Sequence, residues 1–213
     1  MSAPSHLRLV WLDLEMTGLN PASDAILEIA AVVTGPDLVP LVEIERVMAA
    51  PEDFLERMSD RVRRMHTENG LLEAVRTSPN HLRDVEREVL ATIAPFCPAG
   101  EGFLAGNSVF HDWRFLARHM PRLEQHLHFR HVDIGTVSAL VNSWYKDLEY
   151  PRDPVNHRAM ADVRSSIAEL RYYCQHAFKV DLTNLPKAEA GGSSYDLPAV
   201  VATIAGAAKA KKP

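Results

Sequence analysis

Asp13 and Glu15 stand two residues apart in Leu9-Val10-Trp11-Leu12-Asp13-Leu14-Glu15, a segment that alternates in polarity. In a strand, side chains two apart leave the same face, so both carboxylates point one way and Leu12, Leu14 and Met16 the other. Two acids so close repel unless a positive charge sits between them, and a divalent cation is the usual solution. A solvated acidic face would show the same alternation. However, the next strand, Ile26 to Val33, is apolar enough to be central in a sheet, so a strand beside it has little solvent to offer its acids. The turn Met16-Thr17-Gly18-Leu19-Asn20-Pro21 follows at the strand end, where α/β sites cluster.

Asp112 follows Gly106-Asn107-Ser108-Val109-Phe110-His111, between a short buried strand and a helix. Taken alone, it reads as an ordinary acid in a first helical turn, favoured by the helix dipole. His157 and Asp162 say more. On one continuous helix they would point about 140° apart. They share a site only if His157 lies on the loop before the helix, where Pro151, Pro154 and Asn156 put it. A loop histidine beside a helix-borne carboxylate suits a general base next to a metal ligand. The plain alternative is a surface histidine and a helix-face acid.

Other signals are weaker. Gly100 to Gly106 misses the dinucleotide fingerprint by one residue and precedes its strand, and no P-loop is present. His126, His128 and His131 fit no common zinc spacing and read as a polar surface stretch. Cys97 and Cys174 read as thiols in a reducing compartment, with Cys174 on an apolar helix stripe.

The frame for these residues is an α/β fold with a mixed central sheet flanked by helices. Residues 8–48 give three strands joined antiparallel, the third being Leu41 to Val47 after the turn at Gly35-Pro36-Asp37. Ser78-Pro79 predicts a helix start, followed by the stripe Leu82, Val85, Val89, Ile93 and Phe96. Phe103-Leu104-Ala105 and His131 to Ile134 predict short strands. Helices are expected at Phe110 to Met120 and Thr136 to Tyr145, with a last one carrying Met160, Val163, Ile167, Leu170 and Cys174. One domain over 1–186 and a low-complexity tail over 187–213, with a short helix from Leu197 to Ala208, complete the expected organisation.

The chain has 213 residues and a formal charge of −5, which argues against coating long nucleic acids but not against a small phosphate-bearing substrate. No secretory signal is visible, and Ala199 to Ala208 is half the length of a membrane span. A cytoplasmic protein is expected.

The string Trp11-Leu12-Asp13-Leu14-Glu15-Met16-Thr17-Gly18-Leu19, the block from Gly106-Asn107-Ser108 to Asp112, and His157-Arg158-Ala159-Met160-Ala161-Asp162 closely resemble the oligoribonucleases. These are DEDD-superfamily 3′-to-5′ exonucleases with a histidine in the last motif. His66 to Leu71 and Trp144-Tyr145 also look like family segments. The resemblance implies an RNase H-like exonuclease fold and a homodimer that shortens RNA of a few nucleotides, dinucleotides especially, to 5′-mononucleotides. It also implies two Mg²⁺ or Mn²⁺ ions on Asp13, Glu15, Asp112 and Asp162, with His157 as the base. Leu19 would wedge between the bases, with Met16, Gly18, His66, Asn107 and Ser108 near the substrate, and Arg130 would reach the terminal phosphate across the dimer.

Arg61, Phe129 and Gly135 depart from the family's usual aromatic, tyrosine and serine. These positions touch base stacking and the phosphate cap, so chemistry is expected to survive and any effect to fall on the preference for exact substrate length. Two bound divalent ions would bring the charge near −1, leaving Arg57, Arg61, Arg63, Arg64 and Arg130 as local positive charge. The competing readings are a related exonuclease trimming longer RNA or DNA, and a non-catalytic nucleotide-binding protein on the same scaffold. Intact acids at all four positions disfavour the last.

Overall fold

A computed structural model of the chain describes residues 7–145, 147–151 and 157–184. Three strands form an antiparallel meander: β1 (Arg8–Met16), β2 (Ile26–Thr34) and β3 (Pro40–Val47). Four helices follow: α1 (Glu52–Glu56), α2 (Asp60–Glu68), α3 (Leu71–Thr77) and α4 (Leu82–Ile93). Strand and helix then alternate through β4 (Gly102–Gly106), α5 (Phe110–His119), α6 (Pro121–His126), β5 (His128–Asp133), α7 (Ile134–Trp144) and α8 (Ala159–His176). The sheet order is β3-β2-β1-β4-β5, with β1 antiparallel to β2 and parallel to β4. β1 is therefore the middle strand, as its apolar neighbour predicted.

Alternation along β1 sorts its side chains onto two cores. Val10, Leu12 and Leu14 pack with Val85 and Val89 of α4 and Phe115 and Leu116 of α5. Leu9 and Trp11 face Ala159, Met160 and Val163 of α8. The indole of Trp11, fully buried, donates to Thr34 Oγ1 at 2.9 Å. A buried N–H without an acceptor is costly, so this bond is what lets the largest core side chain face inward. Asp13 and Glu15 continue the Trp11 face toward α8.

Several boundaries differ from expectation. Residues 52–77 form three helices whose period the sequence reading did not resolve. Leu55, Leu71, Leu72 and Val75 from these short pieces cover Leu27. Ser78 ends α3 instead of starting α4, because its hydroxyl donates to Val47 O at 2.7 Å and Asn80 Nδ2 donates there at 2.9 Å. His126 is buried, not superficial, and bonds Cys97 O through Nε2 at 2.7 Å. Cys174 packs at the α8 core margin as expected. The residues 187–213, with the predicted short helix, lie outside the described ones.

β4 pairs with β1 only from Arg8 to Trp11 and ends at Gly106. A Cβ on Gly106 would lie 2.7 Å from the Leu12 carbonyl oxygen, so only glycine lets β4 finish this close to β1. Gly106→Ala should therefore cost about 1–3 kcal/mol by overpacking, read as a lower urea midpoint with unchanged slope.

Candidate active site

Because β4 stops early, the second half of β1 projects beyond it. The Leu14 N–H donates to Asp112 Oδ1 at 3.0 Å, so a side chain takes the place of a strand there. This seats Asp112, in the first turn of α5, against the end of β1. Asp133 fixes that turn. One of its oxygens accepts from Val109 N at 3.0 Å, while the other caps α7 through Thr136 N at 2.7 Å. Sequence reasoning missed Asp133. Its signal was an acid directly before the apolar start of a helix.

The turn after β1 is closed on itself. Asp24 accepts from Thr17 Oγ1 at 3.1 Å and from Asn20 N at 2.9 Å, and Thr17 N donates to Ala25 O at 3.0 Å. A Cβ on Gly18 would lie 2.6 Å from that carboxylate, which explains the glycine. Leu19 is left 60% exposed at the tip. His66, fully buried on α2, donates through Nε2 to Met16 O at 3.1 Å. Its Nδ1 lies 4.0 Å from Glu15 Oε2. Burial lowers the pKa of His66, so it remains neutral and lends the acids no charge.

Asp162 sits in the first turn of α8, and His157 lies just before that helix, off its axis as the spacing required. Glu15, His157 and Asp162 each offer one ligand atom, all within 4.8 Å of one another. Asp13 and Asp112 stand outside that tight triad yet repel it: Asp112, Glu15 and Asp162 all act on Asp13. Burial first, then this repulsion, raises Asp13 well above the usual carboxylate range. Glu15 is pushed up to about 8 by burial, Asp162, Glu28 and Asp112. Asp112 is pushed up to about 7 by burial, against the pull of the Leu14 N–H. Burial also raises Asp162, with His157 opposing.

Arg158, whose charge opposes the rise at Glu15, is itself bound by Glu28. Crowded acids held this far from their ordinary ionisation fit divalent cations. Glu28 is the second functional candidate that sequence reasoning missed. Within β2 it was counted only as part of an apolar run.

Asn107 and Ser108 line the loop after β4, with Ser108 in a left-handed conformation at φ 58°. A Cβ on Gly135 would meet Asn107 Oδ1 at 2.8 Å, so the Asn107 side chain uses the space that this glycine leaves. Arg130 is not brought to the acids of its own chain. It is exposed on the edge strand β5, its guanidinium 5.4 Å from the Phe129 ring. The arginines expected to be available divide: Arg57 is paired with Asp53, and Arg63 is engaged by the Leu55 and Glu56 carbonyls. Instead, Arg83, Arg87, Arg118 and Arg122 line a groove of about 590 Å³ with His119 and the acids Asp84 and Glu86. His119 Nε2 donates to Pro21 O at 2.9 Å, so this groove abuts the back of the Leu19 turn.

Residues 10–170 match the family described as Exonuclease. The chain is 42% identical to an oligoribonuclease of Rhodococcus jostii over 91% of this chain and 96% of that one. It is 45% identical to an oligoribonuclease of Streptomyces avermitilis, over 80% and 87%. The mitochondrial oligoribonuclease of Homo sapiens is 40% identical, over 81% and 74%. In structure, the fold is similar to E. coli exonuclease I in a zinc-bound complex with single-stranded DNA, with TM-score 0.65 and 14% identity. That match covers 84% of this chain and 42% of the exonuclease I chain, so this chain spans about two-fifths of its length.

A raised folded-state pKa favours folding below the unfolded value and loses that advantage as pH rises through the folded value. For Glu15 the window runs from the ordinary value of 4.5 to about 8. In chelator, Glu15→Gln should therefore be more stable than the wild type, with a margin growing to about 2–4 kcal/mol between pH 5 and pH 8. Thermal unfolding of both proteins across that range checks it, and the buried histidines cancel in the difference. A margin independent of pH would contradict the geometry.

Proposed function

Since the chain belongs to the oligoribonucleases within the exonuclease family, we propose that it hydrolyses very short oligoribonucleotides, dinucleotides especially, from the 3′ end to 5′-mononucleotides. The observation that carries this reading is the convergence of Asp13, Glu15, Asp112, Asp162 and His157 beside a closed turn with an exposed leucine. The four carboxylates would hold two divalent ions, Mg²⁺ or Mn²⁺, which supply Lewis acidity to the attacking water and to the departing 3′ oxygen.

The residues of the chain do the rest. His157, exposed at the mouth, accepts the proton of the water as its oxygen attacks phosphorus. The bond from phosphorus to the 3′ oxygen breaks, leaving a 5′-phosphate on one product and a 3′-hydroxyl on the other. Leu19 enters between the two bases, while the Met16–Gly18 backbone, backed by His66, forms the floor beside them. Asn107 and Ser108 face the phosphate from the loop after β4.

The homodimer belongs to the same reading. Phe129 on the edge strand is 80% exposed, and Leu140 and Trp144, one turn apart on α7, are 44% and 64% exposed. Large apolar side chains left this exposed support a second copy of the chain as their cover. Arg130, beside Phe129, would then reach the substrate terminus held by the other protomer. Two free thiols, with Cys97 buried, support a reducing cytoplasm. No helix among the described residues is long and apolar enough to cross a membrane. A second reading, trimming of longer strands, is favoured by one feature, the arginine groove behind the Leu19 turn.

Asp112→Asn keeps an acceptor for the Leu14 N–H, so the fold should persist while dinucleotide hydrolysis falls by more than about 100-fold. Rates on 5′-labelled RNA of increasing length separate the two readings, with turnover highest on the dinucleotide under the first. Retained activity in Asp112→Asn would sink both. Trp144→Glu should yield monomers by light scattering and lower dinucleotide turnover, because Arg130 then serves no neighbour.

A further inference from the structure

One buried acid at the site takes no part in the proposed reaction. Glu28 is fully buried on β2 and pairs in register with Glu15, so its carboxylate leaves the sheet on the same face as the candidate ligands. It is already saturated. Oε1 accepts from Arg158 Nε at 3.0 Å and Nη2 at 2.6 Å, while Oε2 accepts from Arg158 Nε and Ala159 N, each at 3.0 Å. All these donors belong to the two residues directly after His157.

A second anchor grips the same segment from the other side. Asn69, the residue that ends α2, donates through Nδ2 to the His157 carbonyl oxygen at 2.5 Å. Between the anchors His157 sits at φ 46°, a left-handed conformation that persists only where neighbours over-determine it. A fork of a guanidinium on a carboxylate fixes direction as well as distance, which a single point charge does not. The two contacts therefore constrain the backbone immediately before and after the imidazole.

We propose that Glu28 is a positioning residue, acting with Arg158 and Asn69 to hold His157 against Glu15 and Asp162. The proposal rests on the reading of His157 as the base. Misplacing a reacting group by about 1 Å costs on the order of 100-fold, so kcat is the quantity that should respond.

The test is a double-mutant cycle of Glu28→Gln and His157→Ala on a diribonucleotide at saturating Mn²⁺. Glu28→Gln should lower kcat about 10- to 100-fold with KM and the half-saturating Mn²⁺ concentration unchanged. In the His157→Ala background it should have no further effect. Drops that multiply, or a weakened Mn²⁺ response, would overturn positioning and leave Glu28 a structural or metal-site residue. Wild-type kcat in His157→Ala would instead overturn the base assignment, and the proposal with it. If Glu28→Gln does not fold, Asn69→Ala enters the same cycle from the other anchor. A kcat loss that vanishes in His157→Ala then supports positioning, and one that multiplies overturns it.

Discussion

The N–H of Leu14 has no strand to meet on its β4 side, and the site depends on what meets it instead. Asp112 Oδ1 accepts that bond at 3.0 Å, replacing a ladder contact with a carboxylate. The exchange ties the first turn of α5 to the end of the central strand and commits an acid to a place where burial alone would exclude it. Asp13 and Glu15 leave the same strand a residue to either side. Once Asp112 is fixed, the opposing face of the site can only be closed by α8, which brings Asp162, and by the segment before it, which brings His157.

Stability and chemistry pull against each other at this point. Four acids held above their ordinary pKa are a burden to the folded chain until a cation arrives, and Arg158 and His157 oppose that rise only in part. His66 is kept neutral by burial, and Arg158 is diverted to Glu28. Either could have neutralised the acids more fully and made the fold easier, with the loss of the crowded negative charge proposed to hold metal. The surrounding cores are correspondingly well built, with Trp11, Leu12, Ile29, Leu104 and Phe115 almost wholly buried.

Much of this was legible in the sequence, and unevenly so. The alternation around Asp13 and Glu15 gave both the strand and the shared face, since a period of two admits no other reading once one face is buried. The five-residue gap from His157 to Asp162 excluded a common helix, and the loop placement followed. Asp112 was not legible alone, because nothing local distinguishes an acid bonded to a distant strand from one at any helix start. Glu28 was hidden within an apolar run, since its partners lie 130 and 131 residues away. Of the arginines between 57 and 64, Arg57 and Arg63 misled for the related reason that composition does not show which cations are already engaged. Short helices at 52–77 escaped because pieces of five to nine residues carry too few turns for a period to emerge.

The closure of the Leu19 turn bears on what size of ligand the site can hold well. A dinucleotide offers few atoms, so any ordering that its binding demands of the protein takes a large share of its free energy. Asp24 orders the turn in advance, from within the loop and independently of any ligand. A long strand has contacts enough to tolerate a loose tip; a two-base fragment does not. Loosening that cross-brace would therefore weaken the smallest ligands most and erode discrimination by length, with every proposed metal ligand and the proposed base still in place.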